Sequence, residues 1–150
     1  MQFRDYQPGD KAACLALFDS NVPRYFDPSE RQMFGAFLDD PRGPYLVLEL
    51  DSEIVGCGGY AHEEIDKEGV RAASFTWGMV DNARHKMGLG RALAEHRLAM
   101  IRQEPDLDEI RLSTTPDVAP FFARFGFVGG PVEKDGYAPG MDKVEMRMRL

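Results

Sequence analysis

The chain has 150 residues, of which 43% are hydrophobic and 29% are charged, and its formal net charge is −7. This composition is typical of a folded chain and argues against disorder, and the length predicts a single domain over residues 1–150. The acidic balance disfavours a nucleic-acid-binding surface, and no apolar run approaches the roughly 20 residues that cross a membrane.

The cysteine and histidine content disfavours both a disulfide framework and a metal site. Cys14 and Cys57 are the only two cysteines, and we interpret them as reduced thiols in the core. The N-terminus lacks a signal-peptide pattern, so these features predict a cytoplasmic protein. Three scattered histidines and two distant cysteines show no ligand spacing, so no bound metal is expected.

The first 60 residues predict strands and helices in alternation. Residues 3–6 have the pattern of a short strand, and a helix begins at Asp10, a residue that can cap it. A second helix follows Pro28 and ends before Pro41. The apolar runs within residues 45–60 flank a short polar turn, which predicts a β-hairpin.

A strand, a glycine-containing loop and a helix follow one another between Ser74 and Gln103. The strand ends at Val80, and the helix begins near Gly88 and Gly90. Backbone N–H groups at a helix N-terminus favour anions, and glycines let a ligand approach the backbone, so this arrangement suits a phosphate. The side chains around the glycines are basic: Arg84, His85, Lys86 and Arg91.

Other interpretations of this loop can be compared with the same residues. A P-loop requires Lys-Ser or Lys-Thr after its last glycine, whereas Arg91 follows Gly90. A dinucleotide-binding turn requires a third glycine where Leu93 stands, and a shorter connection after the strand. An ordinary strand–loop–helix connection with a solvated basic loop stays open.

The last third of the chain predicts two more strands and a helix. Residues 109–113 form the first strand, and a helix with an apolar stripe begins at Asp117. A long Gly/Pro-rich loop is expected over residues 129–143. The alternating residues 144–150 predict a terminal edge strand, which allows a homodimer.

Two motifs together resemble the GNAT acetyltransferase superfamily. The first family motif is Q/R-x-x-G-x-G/A, and residues 85–90 match it except that His85 stands at its first position, with Arg84 one residue earlier. The second motif, Tyr-x-x-x-Gly-Phe, is similar to residues 122–127, in which Phe122 replaces the tyrosine and Gly126 and Phe127 match. The order of predicted elements also fits, so the resemblance covers essentially the whole chain.

The resemblance implies an α+β fold and an acetyl-CoA-dependent N-acetyltransferase. The expected fold is a mixed, mostly antiparallel sheet of about six to seven strands, splayed at its central strands, with about four helices. An amine of a small-molecule or peptide acceptor would attack the acetyl thioester directly, in a ternary complex. The residues implied to bind acetyl-CoA are Met79, Val80, Arg84, His85, Lys86, Met87, Gly88, Leu89, Gly90 and Arg91.

The catalytic groups are less well defined by the sequence. His62, Glu63 and Glu64 follow a predicted strand and are candidates for the base that deprotonates the amine; the alternative is a solvated turn. In many family members the tyrosine replaced here by Phe122 protonates the departing thiolate. Tyr137 is one of several hydroxyls that could replace it, and the spacing singles out none.

The acceptor is not identified by the sequence. The resemblance implies that the segment between the first two helices lines the acceptor pocket, with Arg24, Tyr25 and Phe26 as candidate contacts, and Tyr137 is a further candidate. The alternative for Tyr25 and Phe26 is that they anchor the loop to the core. Two competing functions also stay open: a non-catalytic CoA-binding or regulatory module, and an interaction domain whose basic loop binds nothing in particular.

Overall fold

Seven strands and four α-helices follow one another in the computed structural model, which describes all residues from Met1 to Leu150. The strands are β1 (Gln2–Asp5), β2 (Tyr45–Leu50), β3 (Glu53–His62), β4 (Ala72–Val80), β5 (Glu109–Thr114), β6 (Val128–Ala138) and β7 (Met141–Arg149). The helices are α1 (Lys11–Ser20), α2 (Arg31–Asp39), α3 (Leu89–Arg102) and α4 (Ala119–Ala123).

All seven strands belong to one sheet in the order β1-β2-β3-β4-β5-β7-β6. The pairs β1–β2, β2–β3, β5–β7 and β6–β7 are antiparallel. β4 and β5 pair in parallel, and their ladder covers only Ala72–Ser74 on β4. The mixed, mostly antiparallel sheet, with its short ladder between the central strands, agrees with the fold class that the sequence predicted.

The chain forms two compact units, each built from two segments. The first contains residues 1–61 and 76–103, and the second contains residues 62–75 and 104–150. The division falls within β4.

The first unit has two apolar layers, because side chains alternate between the two faces of its strands. Tyr45, Val47 and Cys57 pack against α1 and α2. Leu48 and Val80 pack against α3. Cys14 and Cys57 are fully buried free thiols, as predicted. His96, on α3, stacks on Phe3 with ring centroids 4.1 Å apart.

The second unit contains the β5–β7–β6 part of the sheet and α4. Buried side chains alternate along β5 and β7, with Ile110 paired to Met148 and Leu112 paired to Met146. The same unit contains an aromatic group, in which Phe127 is buried. Its members contact one another edge to face: Phe75, Phe121, Phe122, Phe125 and Phe127.

The C-terminal hairpin corrects two expectations. β6 occupies most of the segment expected to be a loop over residues 129–143, and β7 lies between β5 and β6, so the edge strand is β6. The residues of β6 from Val128 to Asp135 are all exposed. Neither face of this part of the strand is therefore buried, and the apolar alternation that identifies a strand is missing. The register of β6 also shifts twice, which accommodates Pro131, and proline is tolerated at an edge.

None of the helices combines the length and the apolar character that crossing a membrane requires.

Packing in the first unit gives a stability prediction for α2. Phe34 is fully buried and lies with its ring centroid 5.8 Å from that of Phe18 and 4.9 Å from that of Trp77. We expect Phe34→Ala to lower the free energy of unfolding by about 3–5 kcal/mol, measured by urea denaturation. Met33→Ala, next to it and 65% exposed, is the control and should change it by about 0.5 kcal/mol or less. Equal effects of the two substitutions would contradict this packing.

Candidate functional site

The second half of β4 departs from regular strand geometry. Trp77 has a φ of 35°, in the left-handed region that bulky residues rarely adopt. The Tyr45 hydroxyl donates to the Trp77 carbonyl at 2.8 Å. The Arg97 guanidinium lies against Gly78 and is buried, with 3% of the residue exposed. The strand is therefore irregular just before Met79 and Val80, which the sequence analysis assigned to the site.

The carbonyl of Val80 accepts two side-chain hydrogen bonds. Asn21 donates from Nδ2 at 2.9 Å, and His85 Nε2 lies 3.1 Å away, a distance that fits donation from that nitrogen. Asn21 is 3% exposed and also donates to Leu17 O, at 2.8 Å. The end of β4 is thereby tied both to the last turn of α1 and to the loop that follows the strand.

The loop after β4 leads into α3 through two left-handed residues. A 3-10 turn, Asn82–Arg84, is capped by the Asp81 side chain, which accepts from the Ala83 N–H. Lys86 then has a φ of 68° and Gly88 a φ of 81°. Backbone that alternates between left- and right-handed residues can direct neighbouring N–H groups into a shared concavity that suits anions.

The first turn of α3 leaves backbone donors outside the helical ladder. The N–H of Ala92 donates to Gly88 O at 3.0 Å, so the amides of Leu89, Gly90 and Arg91 precede the first intrahelical bond. A Cβ at Gly88 would meet no atom within 4 Å. The surface above this turn is thus open to a ligand.

The basic side chains of the loop differ in how they are paired. Arg84 forms an ion pair with Glu53 at 2.8 Å, and Arg91 forms one with Glu95 at 2.7 Å. Lys86 has no hydrogen bond or ion pair in the structure. The cation that is free to meet an added anion is therefore Lys86.

Two further loop residues have defined surroundings. The His85 imidazole points back to β4 and lies 5.2 Å from the Tyr25 ring between centroids. Met87 is 59% exposed, whereas Leu89 is buried in the core beneath α3. Leu89 consequently anchors the start of the helix, while Met87 and Gly88 face solvent.

The base candidates His62, Glu63 and Glu64 belong to the second unit, where two of them are paired. The Glu63 carboxylate accepts from the Ser74 hydroxyl and from Arg111 Nη1, the latter at 2.7 Å. His62 Nε2 lies 2.8 Å from Glu104 Oε1. Glu64 is exposed and forms no hydrogen bond or ion pair.

Arg111 connects the turn after β3 to the sheet of the second unit. Besides Glu63, it donates to Asp66 at 2.9 Å and to Glu109 at 2.5 Å. Hydrogen bonds from the Val70 N–H and from Arg111 lower the pKa of the Asp66 carboxyl below its ordinary value. This turn is held by ion pairs, which differs from the freely solvated turn considered as an alternative.

The candidate acceptor contacts have unequal surroundings. Phe26 stacks on Phe18, with centroids 4.8 Å apart, so it anchors the loop to the core. The Arg24 guanidinium lies over the Tyr25 ring, with Cζ 5.2 Å from the ring centroid. The Tyr25 ring also contacts the His85 ring. Tyr137, in the second unit, lies under the Lys143 ammonium at 5.6 Å.

Phe122, which stands where the resemblance implied a tyrosine, has no group that can donate a proton. Its ring packs edge to face against Phe121 at 5.0 Å and Phe127 at 6.0 Å. These contacts explain Phe122 as a packing residue of the aromatic group, as the apolar stripe of the helix predicted.

Sequence reasoning missed Tyr45 and Arg97, although a signal existed for the arginine. Leu89, Leu93, Arg97 and Ile101 follow one another at intervals of four, so Arg97 falls on the buried stripe of α3. A cation on such a stripe indicates a specific buried partner. For Tyr45, nothing in the sequence marks its hydroxyl.

Elsewhere in the structure, no group of three or more His, Cys, Asp or Glu side chains is arranged to hold a metal ion.

The chain matches the family model for the acetyltransferase (GNAT) family over residues 14–127. No curated protein sequence matches it significantly. The match includes the loop around Gly88 and the aromatic group around Phe122, so both motifs lie inside it.

Solved structures similar to this chain have the same fold at low sequence identity. A GNAT-family protein from Desulfovibrio desulfuricans has a TM-score of 0.79 and 22% identity, covering 99% of this chain and 98% of its own. The ribosomal-protein-S18-alanine N-acetyltransferase from Escherichia coli has a TM-score of 0.77 and 15% identity, covering 99% and 93%. A Salmonella typhimurium structure containing its cofactor acetyl-CoA has a TM-score of 0.74 and 16% identity, covering 100% and 94%.

The ion pair of Asp66 gives a prediction for acid stability. Because the folded-state pKa of Asp66 is lowered, its contribution is complete above the unfolded-state pKa and is lost as the pH falls through the folded-state pKa. We expect Asp66→Asn to lower the Tm at pH 7, and the gap from the wild type to close as the pH falls below the ordinary range of carboxyl pKa values and through the lowered pKa of Asp66. Glu68→Gln on the same turn is the control and should show no such gap. A gap that persists unchanged at low pH would contradict the assignment.

Proposed function

The chain belongs to the acetyltransferase (GNAT) family, and on that premise we propose that it transfers an acetyl group from acetyl-CoA to an amine by direct attack in a ternary complex. Acetyl-CoA supplies the activated thioester, and no covalent enzyme intermediate is needed. The observation that carries the proposal is the start of α3, where left-handed Lys86 and Gly88 precede three amides outside the helical ladder.

The loop fits a pyrophosphate on both geometric and electrostatic grounds. Free N–H groups and the helix dipole favour negative charge at this end of α3, and Gly88 leaves room for a ligand close to the backbone. Lys86 adds a cation that no carboxylate neutralises. Arg84 and Arg91 can join it by exchanging their present partners, Glu53 and Glu95.

The end of β4 fits the pantetheine arm through its backbone. The Val80 carbonyl already accepts from Asn21 and lies within hydrogen-bond distance of His85, and a carbonyl oxygen has two lone pairs. Val80 would therefore contribute its N–H, together with the backbone of Met79. The same N–H groups would stabilise the oxyanion that develops on the thioester carbonyl.

Among the base candidates, His62 has the arrangement best suited to take a proton. When Nε2–H donates to Glu104, the tautomer is fixed and Nδ1 keeps its lone pair. Both carboxylate oxygens of Glu63 are engaged by Ser74 and Arg111, so Glu63 supports the turn. We assign no acid: a thiol has an ordinary pKa of about 8.5, so thiolate is a good leaving group that can depart without a proton donor at position 122.

The predictions for the domain organisation, the acceptor and the partners are proposals as well. We infer a single domain, since the family match covers segments of both units. The acceptor is a small-molecule or peptide amine, with Arg24, Tyr25 and Tyr137 as candidate contacts. A cytoplasmic location, the absence of metal and nucleic acid, and a homodimer stay predictions.

A second candidate function is a non-catalytic CoA-binding module. Phe122 favours it, because the residue that donates a proton in many relatives is missing. The two candidates share the loop and differ in chemistry, so separate experiments test them.

Acetyl-CoA binding tests the loop. We expect Gly88→Ala to weaken binding at least about tenfold by calorimetry at fixed salt, since its methyl group and strain disturb the anion site. Gly140→Ala is a matched control: its φ is 80°, against 81° for Gly88, and neither Cβ would meet an atom within 4 Å. Both substitutions carry about 1–2 kcal/mol of backbone strain, so only the position differs. Equal affinities of the two variants and the wild type would contradict the proposed site.

Turnover separates the enzyme from the binding module. We expect release of CoA thiol above the blank rate with at least one member of an amine panel. His62→Gln should lower kcat by about 10²-fold or more, because it removes the proton acceptor. Glu64→Gln, two residues away and without a partner, is the control and should retain activity. Tight acetyl-CoA binding without thiol release on any amine would favour the binding module instead.

A further inference from the structure

The left-handed residue Trp77 is enforced by its surroundings. A bulky residue at a φ of 35° in the middle of a strand adopts a costly conformation, which persists only where contacts fix it. An irregularity of this kind changes the direction of the backbone groups that follow it. Those groups belong to Gly78, Met79 and Val80, where the proposed thioester and pantetheine contacts lie.

Tyr45 acts on this segment from the face covered by α1 and α2. Its side chain belongs to the core cluster of that face, and its hydroxyl donates to the Trp77 carbonyl at 2.8 Å. The Cys57 sulfur lies 3.2 Å from the same hydroxyl. Burial raises the pKa of Tyr45 well above its ordinary value, so the hydroxyl keeps the proton that it donates.

Arg97 acts on the same segment from the face covered by α3. A Cβ at Gly78 would lie 2.7 Å from Nη2 and 2.9 Å from Nη1 of its guanidinium, and a Cβ at Gly58 would lie 3.4 Å from Cζ. Nη1 also donates to the Gly59 carbonyl at 3.3 Å. The guanidinium therefore occupies the space that a side chain at position 78 would fill, and its contacts with Gly59 and Gly78 place it on the backbone of β3 and β4.

We infer that Tyr45 and Arg97 are positioning residues that hold the Trp77–Gly78 irregularity of β4 from both faces of the sheet, and so set the N–H groups that receive the acetyl thioester. This inference rests on the proposed function. Neither residue would touch the reacting atoms, and each acts through the backbone of β4.

The experiment uses Trp77 itself as a reporter, because it is the only tryptophan in the chain. Tyr45→Phe removes the donor to the Trp77 carbonyl and keeps the ring. Tyr6→Phe is the matched control: its ring meets that of Tyr45 edge to face at 5.8 Å, and its buried hydroxyl has no hydrogen-bond partner. We expect Tyr45→Phe to shift the Trp77 emission of the free protein, and Tyr6→Phe to leave it unchanged.

The carbonyl of bound acetyl-CoA provides a second measurement. Acetyl-CoA labelled with carbon-13 at its carbonyl is added to each protein, and the shift of that carbonyl from its value in free acetyl-CoA is measured by NMR. Tyr45→Phe should lose about half or more of this shift, since the carbonyl would no longer meet aligned N–H donors, while acetyl-CoA affinity stays within about threefold. A variant that is merely destabilised would lose affinity or Tm without this selective change.

Arg97 is tested through its contact with Gly78. Gly78→Ala should disturb Trp77 emission, because its methyl group meets the guanidinium. In the Arg97→Leu background the methyl group has room, so the effect of Gly78→Ala should be much smaller. The same glycine substitution combined with Arg102→Leu, at an exposed arginine in the last turn of α3, should show simple additivity.

The outcomes separate this inference from the proposed function. Failure of the wild type to bind acetyl-CoA would overturn both. Binding by the wild type, with the same Trp77 emission and carbonyl shift in Tyr45→Phe as in Tyr6→Phe, would overturn the positioning role of Tyr45 alone. Additive effects of Gly78→Ala and Arg97→Leu would overturn the role of Arg97.

Discussion

The conformation of β4 between Trp77 and Val80 constrains the rest of the first unit. Trp77 takes a left-handed conformation, and its carbonyl accepts from a buried tyrosine in the neighbouring core. Three residues later the Val80 carbonyl accepts from Asn21 at the end of α1 and lies beside the His85 ring of the following loop. Because these bonds come from different elements, the strand end, the last turn of α1 and the loop cannot shift independently.

Burial of Arg97 against β4 has an electrostatic cost. Removing a guanidinium from water is unfavourable, and it lowers the pKa of Arg97 to about 10. The group still carries its charge at neutral pH. Glycine is required at position 78 because a Cβ there would overlap the guanidinium, and a Cβ at position 58 would crowd Gly78 and Leu93. The other glycines of β3 are explained by close neighbours as well, since a Cβ at Gly59 would overlap Pro44 and Tyr45 and one at Gly56 would crowd the Met79 carbonyl.

Counting the basic side chains of the loop overstates the positive charge that is available to a ligand. Of its cationic side chains, Arg84 and Arg91 are neutralised by Glu53 and Glu95, and exposed ion pairs of this kind contribute little stability. They can therefore exchange partners at small cost when an anion arrives. Backbone geometry at Lys86 and Gly88 does more to define the proposed site, since both residues are left-handed whichever partners the arginines take.

The sequence by itself determined the fold class, the family and the position of the loop. These depend on local signals: alternation in strands, helical spacing, and glycines before a helix. It could not assign β6, whose exposed faces carry no alternation, or recognise that β7 lies inside the sheet. Tertiary structure alone decided the roles of Tyr45 and Arg97 and the pairing of Glu63 with Arg111, because each joins residues far apart in the chain. Such contacts depend on three-dimensional packing, which residue spacing does not encode.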